Sequence, residues 1–252
     1  MGRGRSKVSV GGGGAWDRTK EQDKTLNQIA RKTANLKNEQ YRIVDSEGNV
    51  VLEKHGTRGE VATTVGEKRE FLDGNISIHN HPAEDGELGG TFSPDDLGQF
   101  GFGAKEIVVS APEGTYRLIN TKYGTMDQYN GWYDMKNEII ENIETPAVDK
   151  SYLTRRKEAM ESLMSKKSSD YYKATKQQEA ITNKYSEISR TQGREKANEY
   201  ITSQRDRYDS LGNIRQKALK REMRRQEVEP YHEYYKQNAR KYGFEYKFEP
   251  RK

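Results

Sequence analysis

The sequence predicts an α/β protein: a small domain with a mixed β-sheet and flanking helices, followed by an extended, charged α-helical region. Two observations predict it. Up to about residue 125, short β-branched runs alternate with turn clusters and two helical stretches. From about Met126 the chain turns rich in Tyr, Lys, Gln and Glu, with apolar residues too sparse for a sustained leucine heptad. Of the 252 residues only 31% are hydrophobic while 33% are charged, too polar for one large core over the whole length. The expected division is a flexible basic Gly-rich tail over 1–16, the sheet domain over 17–125 and the helical region over 126–252.

The elements follow in order. Met1 to Ala15 is basic and ends in Gly11-Gly12-Gly13-Gly14, the composition of a flexible tail. Between Trp16 and Asn38, Leu26, Ile29, Ala30, Thr33 and Leu36 recur at spacings of three and four, one apolar helical stripe. Tyr41–Val44 and Val50–Glu53 read as strands around the turn cluster Asp45-Ser46-Glu47-Gly48-Asn49. Val61–Val65 reads as another short strand, and Gly66–Gly74 as a turn or short helix. Ile76 and Ile78 alternate with Ser77 and His79, the period of a half-buried strand, which Pro82 stops. Ala83 to Thr91 is an acidic, Gly-containing loop. Ser93 then stands as the N-cap of a short helix with Pro94 at its first position. Glu106–Ser110 and Tyr116–Ile119 form a hairpin around Pro112-Glu113-Gly114. Beyond Met126, helices are expected over 127–144, 150–168, 170–190, 194–208, 214–227 and 231–242. Breaks fall at Thr145-Pro146, Gly193, Leu211-Gly212-Asn213 and Pro230. The aromatic–charged alternation of Gly243 to Phe248 fits a terminal strand.

Composition excludes several functions. With no cysteine there is no disulfide, thiolate zinc site or cysteine nucleophile, and no zinc nucleobase deaminase, which needs cysteine ligands. No run of about 18 apolar residues spans a membrane. The basic N-terminus lacks the apolar segment of a secretory signal, so a cytoplasmic or virion-associated location is expected. A net charge of +5, mixed along the chain, is weak support for nucleic acid, and no base-reading motif accompanies it. Tyr171, Tyr172, Tyr185, Tyr200, Tyr208, Tyr234 and Tyr235 are either packing faces of polar helices or rings on which bases stack.

Residues two apart on a strand point to the same face, so His79 and His81 project together where the strand ends. Two adjacent imidazoles begin a divalent metal site, and Asp96, from the following loop or the helix it opens, adds a carboxylate. Asp95 is the alternative, since neighbouring helical positions point about 100° apart. His55 and His232 lie outside this constellation.

The string His79-Asn80-His81-Pro82, ten residues, then Ser93-Pro94-Asp95-Asp96 resembles the H-x-H-P…S-x-x-D signature of the JAB/MPN (JAMM) metalloproteases, most closely the RadC-type and phage-encoded branch. The resemblance covers roughly residues 25 to 120. It implies a JAB/MPN-type fold and a Zn2+ held by His79, His81 and Asp96. It further implies a Glu from an earlier strand as general base, Ser93 as helper at the oxyanion, and hydrolysis of a peptide or isopeptide bond in a protein or peptide substrate. Glu39, directly before the Tyr41–Val44 strand, stands where the family places its Glu; Glu53, Glu60 and Glu67 compete. The other expectation is a non-catalytic phage structural or assembly protein, in which the JAB-like domain is a platform and the helical region contacts a protein partner.

Overall fold

The computed structural model describes residues 18–83, 87–144 and 150–251. The expected tail, residues 84–86 of the acidic loop expected over Ala83 to Thr91, and the break at Thr145-Pro146 lie outside the described residues. The chain divides into two compact units, one of residues 1–149 with 227–252 and one of residues 150–226.

The first unit is built on a six-stranded mixed sheet. Its strands are β1 (Gln40–Val44), β2 (Val50–His55), β3 (Ile76–Asn80), β4 (Glu106–Ala111), β5 (Gly114–Asn120) and β6 (Phe244–Pro250). Their spatial order is β2-β1-β3-β4-β5-β6. β3 and β4 run parallel, and every other neighbouring pair is antiparallel.

The pleat sorts side chains between two cores. On one face, Val44, Ile76, Ile78 and Val108 pack on Leu26, Ile29 and Ala30 of helix α1 (Lys20–Thr33). The helix starts at a reciprocal cap, with Thr19 Oγ1 accepting from Gln22 N–H while the Gln22 side chain accepts from Thr19 N–H. It is shorter than the Trp16–Asn38 expectation, and Leu36 lies beyond its end. On the other face, Tyr41, Ile43, Ile107, Val109 and Leu118 meet Phe92, Leu97, Phe100, Met135, Ile139, Tyr235 and Phe244. Phe92 precedes a 3₁₀ turn (Asp96–Phe102); the others come from that turn, helix α3 (Trp132–Ile139) and the chain after 227. Ser77 and His79 alternate with Ile76 and Ile78, so the pleat turns His79 toward this second face.

Three expectations change. Val61–Val65 is no strand: Thr64 caps helix α2 (Val65–Phe71), its Oγ1 accepting from Glu67 N–H while the Glu67 carboxylate accepts from Thr64 N–H. Ser93 does not cap a helix that starts at Pro94; the 3₁₀ turn begins at Asp96, with Asp95 at its cap position. The composition break near 126 is not the boundary of the compact unit. Met135, Ile139, Tyr235, Tyr242 and Phe244 complete its core, and β6 pairs with β5 along seven residue pairs, Gly114 with Pro250 through Asn120 with Phe244.

The second unit comprises helices α4 (Tyr152–Ser165), α5 (Asp170–Gln192), α6 (Arg194–Ser203) and the first part of α7 (Arg205–Asn238). Gly193, at φ +93°, separates α5 from α6 as expected. The expected breaks at Leu211-Gly212-Asn213 and Pro230 are absent, and both lie inside α7. Leu211 and Leu219 are buried on either side of Gly212, so packing outweighs the roughly 1 kcal/mol cost of a helical glycine. Pro230 is exposed, where the carbonyl its ring leaves without an intrahelical donor is open to water. Buried Gln178 has partners at both ends of its amide. Gln178 donates to the Tyr208 carbonyl at 2.9 Å and accepts from Arg215 at 2.6 Å. Tyr171 and Tyr235, at 3% and 0% exposure, are core residues of their units, which removes them as stacking candidates.

Candidate metal centre

Four side chains meet at the C-terminal end of β3, each delivered by a different feature of the chain. His79 is the fourth residue of β3, and His81 follows two positions later, where its backbone N–H still bonds to the Ser110 carbonyl at 3.0 Å. The strand pairing therefore holds both imidazoles on one face, with their Nε2 atoms 3.1 Å apart. In β1, Tyr41 pairs with His79. Carrying that antiparallel register two residues further sets Glu39 opposite His81, on the same face. Ligand atoms of Glu39, His79 and His81 all lie within 4.8 Å of one another. Asp96 arrives from the 3₁₀ turn, Oδ1 at 3.2 Å from His79 Nε2 and Oδ2 at 3.8 Å from His81 Nε2.

The backbone around Glu39 is clamped. Its N–H donates to the Thr57 carbonyl at 2.7 Å, and its carbonyl accepts from Gly56 N–H at 2.8 Å. Asn80, fully buried between the two histidines, accepts from Gln40 N–H at 2.7 Å and donates to the Asn38 carbonyl at 3.2 Å. One amide thus holds the peptides on both sides of Glu39. The sequence motif contained Asn80, but its role was not legible there, since it depends on the β1–β3 register. Tyr41 lies beside His79, ring centroids 6.3 Å apart, and its hydroxyl donates to Gln99 Oε1 at 2.9 Å.

The competing residues are engaged elsewhere. Asp95 pairs with Lys136 at 2.7 Å and its side chain is 93% exposed, so Asp96 is the member of the pair that faces the histidines. Glu53 pairs with Arg42 at 2.6 Å and with His55 at 3.2 Å. Glu67 caps α2 and pairs with Lys54. Glu60 is exposed but close enough for its charge to act on Glu39. His232 hydrogen-bonds the Tyr246 hydroxyl at 2.6 Å, away from this group. Ser93 is close to it: both its N–H and Oγ–H donate to Asp96 Oδ2 at 2.8 Å.

The electrostatics follow from burial and mutual charge. Burial pushes the Glu39 carboxyl up, and the nearby Asp96 charge adds to this, against the pull of His79. Burial acts upward on Asp96 too, but the facing histidines and the Ser93 hydroxyl hold it well below the ordinary carboxylate range. Burial works against charging His79, yet Asp96 and Glu39 raise it overall.

The donor set suits a small divalent cation. The two imidazole nitrogens lie 3.1 Å apart, and the Asp96 carboxylate sets Oδ1 3.2 Å from one and Oδ2 3.8 Å from the other. Donors around a tetrahedral zinc ion are spaced at roughly 3.3 Å, given metal–nitrogen bonds of about 2.0–2.1 Å. Metal binding needs the imidazoles neutral, and the two carboxylates beside them then supply negative charge for a divalent ion to neutralise. His79 Nδ1 is buried with no hydrogen-bond partner among the described residues. The same donors serve several first-row metals, so the geometry by itself does not single out zinc. No protein-family model matches the chain, and no curated protein or solved structure matches it.

Proposed function

We propose that this chain is a zinc-dependent peptidase or isopeptidase of the JAMM type, acting on a protein or peptide and encoded by a phage or mobile element. The observation that supports it most is the convergence of Glu39, His79 and His81, with Asp96 against both imidazoles. Two histidines, Asp96 and a separate, partly buried glutamate are what hydrolysis of an amide at such a site requires.

In this reading His79, His81 and Asp96 are the ligands. The chemistry zinc supplies when bound is Lewis acidity, which polarises a carbonyl and brings the pKa of a water toward neutrality. Glu39 is the proton carrier. Its raised pKa places it nearer the operating pH than an ordinary carboxylate, so it takes a proton from the attacking water and passes it to the leaving amine. Asn80 fixes the peptides flanking Glu39, which keeps the carboxylate in reach while substrate comes and goes. Ser93 holds Asp96 in place; it serves the oxyanion only if its hydroxyl leaves Asp96 Oδ2 as substrate binds.

The test has two parts. Elemental analysis of protein purified without chelator and supplied with zinc is expected to give about one equivalent, lost in His79→Ala. Less than a tenth of an equivalent in the parent overturns the reading. Glu39→Gln is expected to keep the metal and the fold while lowering hydrolysis of a peptide or isopeptide substrate at least about a hundredfold. Loss of zinc in that variant makes Glu39 a ligand instead.

A further inference from the structure

The net positive charge of this protein lies in one of its two units. Residues 150–226 carry 20 Lys and Arg against 10 Asp and Glu, a net +10, whereas the sheet unit with its C-terminal segment is at −5. This corrects the sequence-level impression of evenly mixed charge. The surplus includes Lys217, Lys220, Arg221 and Arg224 in α7, whose spacing puts them on one helix face. A domain this basic favours a polyanion.

The same unit holds an open cavity of about 470 Å³ lined by Thr182, Tyr185, Ile201, Thr202, Arg205, Tyr208 and Asp209. Its walls are mostly apolar and come from α5, α6 and the first turn of α7. The backbone at Tyr208 is held, its carbonyl accepting from buried Gln178 at 2.9 Å, and the Tyr185 side chain is tied at its tip, the hydroxyl donating to Asn198 Oδ1 at 3.4 Å. Tyr208 nevertheless keeps 37% of its surface exposed. A tyrosine ring on a fixed backbone with an open face is a stacking platform.

We infer that residues 150–226 bind single-stranded nucleic acid, seating one unstacked base in the Tyr185–Tyr208 cavity and its flanking phosphates on the Lys and Arg surplus of the same unit. Charge alone fits an acidic polypeptide equally well. The cavity favours nucleic acid, because every base carries a planar ring to lay against a lining tyrosine, whereas the carboxylates that make a polypeptide acidic do not. Asp209, which lines the cavity, repels a carboxylate but accepts from an N–H of a base, such as the ring N3–H of thymine. A paired duplex keeps its bases stacked and out of reach, which points to a single strand. This binding is independent of the metal centre.

The test is fluorescence anisotropy of the full chain with a labelled oligothymidylate of about 20 nucleotides. Binding is expected to weaken with salt on a log–log slope of about −3, as four or five phosphates release counterions. Tyr208→Ala and Tyr185→Ala should each lose about tenfold or more in affinity, while Tyr208→Phe keeps the stacking face and binds like the parent. Arg205→Glu, an exposed change that leaves packing alone, should also weaken binding. Unchanged circular dichroism checks that each variant is folded. No binding at low salt overturns the inference. So does poly-glutamate competing as well as the oligonucleotide, or folded tyrosine-to-alanine variants binding as tightly as the parent.

Discussion

Replacing Asn80 with alanine tests whether its amide holds the site together. Asn80 is fully buried and makes two bonds, accepting from Gln40 N–H at 2.7 Å and donating to the Asn38 carbonyl at 3.2 Å. Each such bond contributes a net ~1 kcal/mol, and a buried group left unpaired costs ~1–3 kcal/mol. Asn38 is exposed, so water can take its carbonyl; Gln40 N–H, half-buried, faces the space the side chain vacates. The expected loss is therefore about 2–3 kcal/mol. Urea unfolding reads it, followed by fluorescence of Trp132 in a Trp16→Phe background, because Trp132 lies in the sheet unit. With a urea dependence of about 2 kcal/mol/M, the midpoint should fall by about 1–1.5 M. Asn80→Asp keeps an acceptor for Gln40 but sets a carboxylate oxygen against the Asn38 carbonyl, so it should lose at least as much at neutral pH. Both variants retain His79, His81 and Asp96 and should still bind metal. A midpoint shift under about 0.3 M in Asn80→Ala would refute the clamp.

Asp96→Asn should abolish metal binding in equilibrium dialysis while Asp95→Asn, which alters only an exposed partner of Lys136, should not; the reverse pattern makes Asp95 the ligand. Ending the chain after residue 126 removes Met135, Ile139, Tyr235 and Phe244 from the core together with β6, and should give an insoluble or molten product in near-ultraviolet circular dichroism. The Glu222 carboxyl is held down to about 2 from an ordinary 4.5, chiefly by hydrogen bonds from Arg225, with burial opposing and Ser162 adding to the effect. Because the folded value lies below the unfolded one, this stabilisation is complete above about pH 4.5 and is lost as pH falls toward 2. Glu222→Gln should flatten that part of the acid unfolding curve measured by helical ellipticity; an unchanged curve means the pair adds nothing.

Local patterns were legible in the sequence and long-range ones were not. The β1–β2 hairpin, β3 and the β4–β5 hairpin follow from alternation and turn residues. His79, His81 and Asp96 come together because strand period and a short connection bring them there. The Thr64–Glu67 capping box was also present as a local signal, but the apolar residues Val61 and Val65 suggested a strand instead. Choosing Glu39 from sequence needed a family likeness; in the structure the β1–β3 register places it, and that is a contact between segments 40 residues apart. The continuity of α7 through Gly212 and Pro230 depends on buried neighbours that no local propensity contains. The charge split was hidden by the boundary placed at 126, because residues 127–149, with six Asp and Glu against one Lys, were counted with the basic helices.

The position of β6 sets the order in which this protein can fold as it is made. Strand β5 is finished by Asn120, but its partner begins at Phe244. All of residues 150–226 emerge from the ribosome before that partner exists. During this interval β5 presents an open edge beside an apolar face that still lacks Tyr235 and Phe244, the kind of edge on which chains associate. At a typical elongation rate of about 5–20 residues per second, the roughly 120 residues between the two strands keep the edge open for about 6–25 seconds. The sheet unit's last step is therefore a long-range closure, and mutations at the β5–β6 seam should reduce the yield of soluble protein more than the stability of molecules already folded.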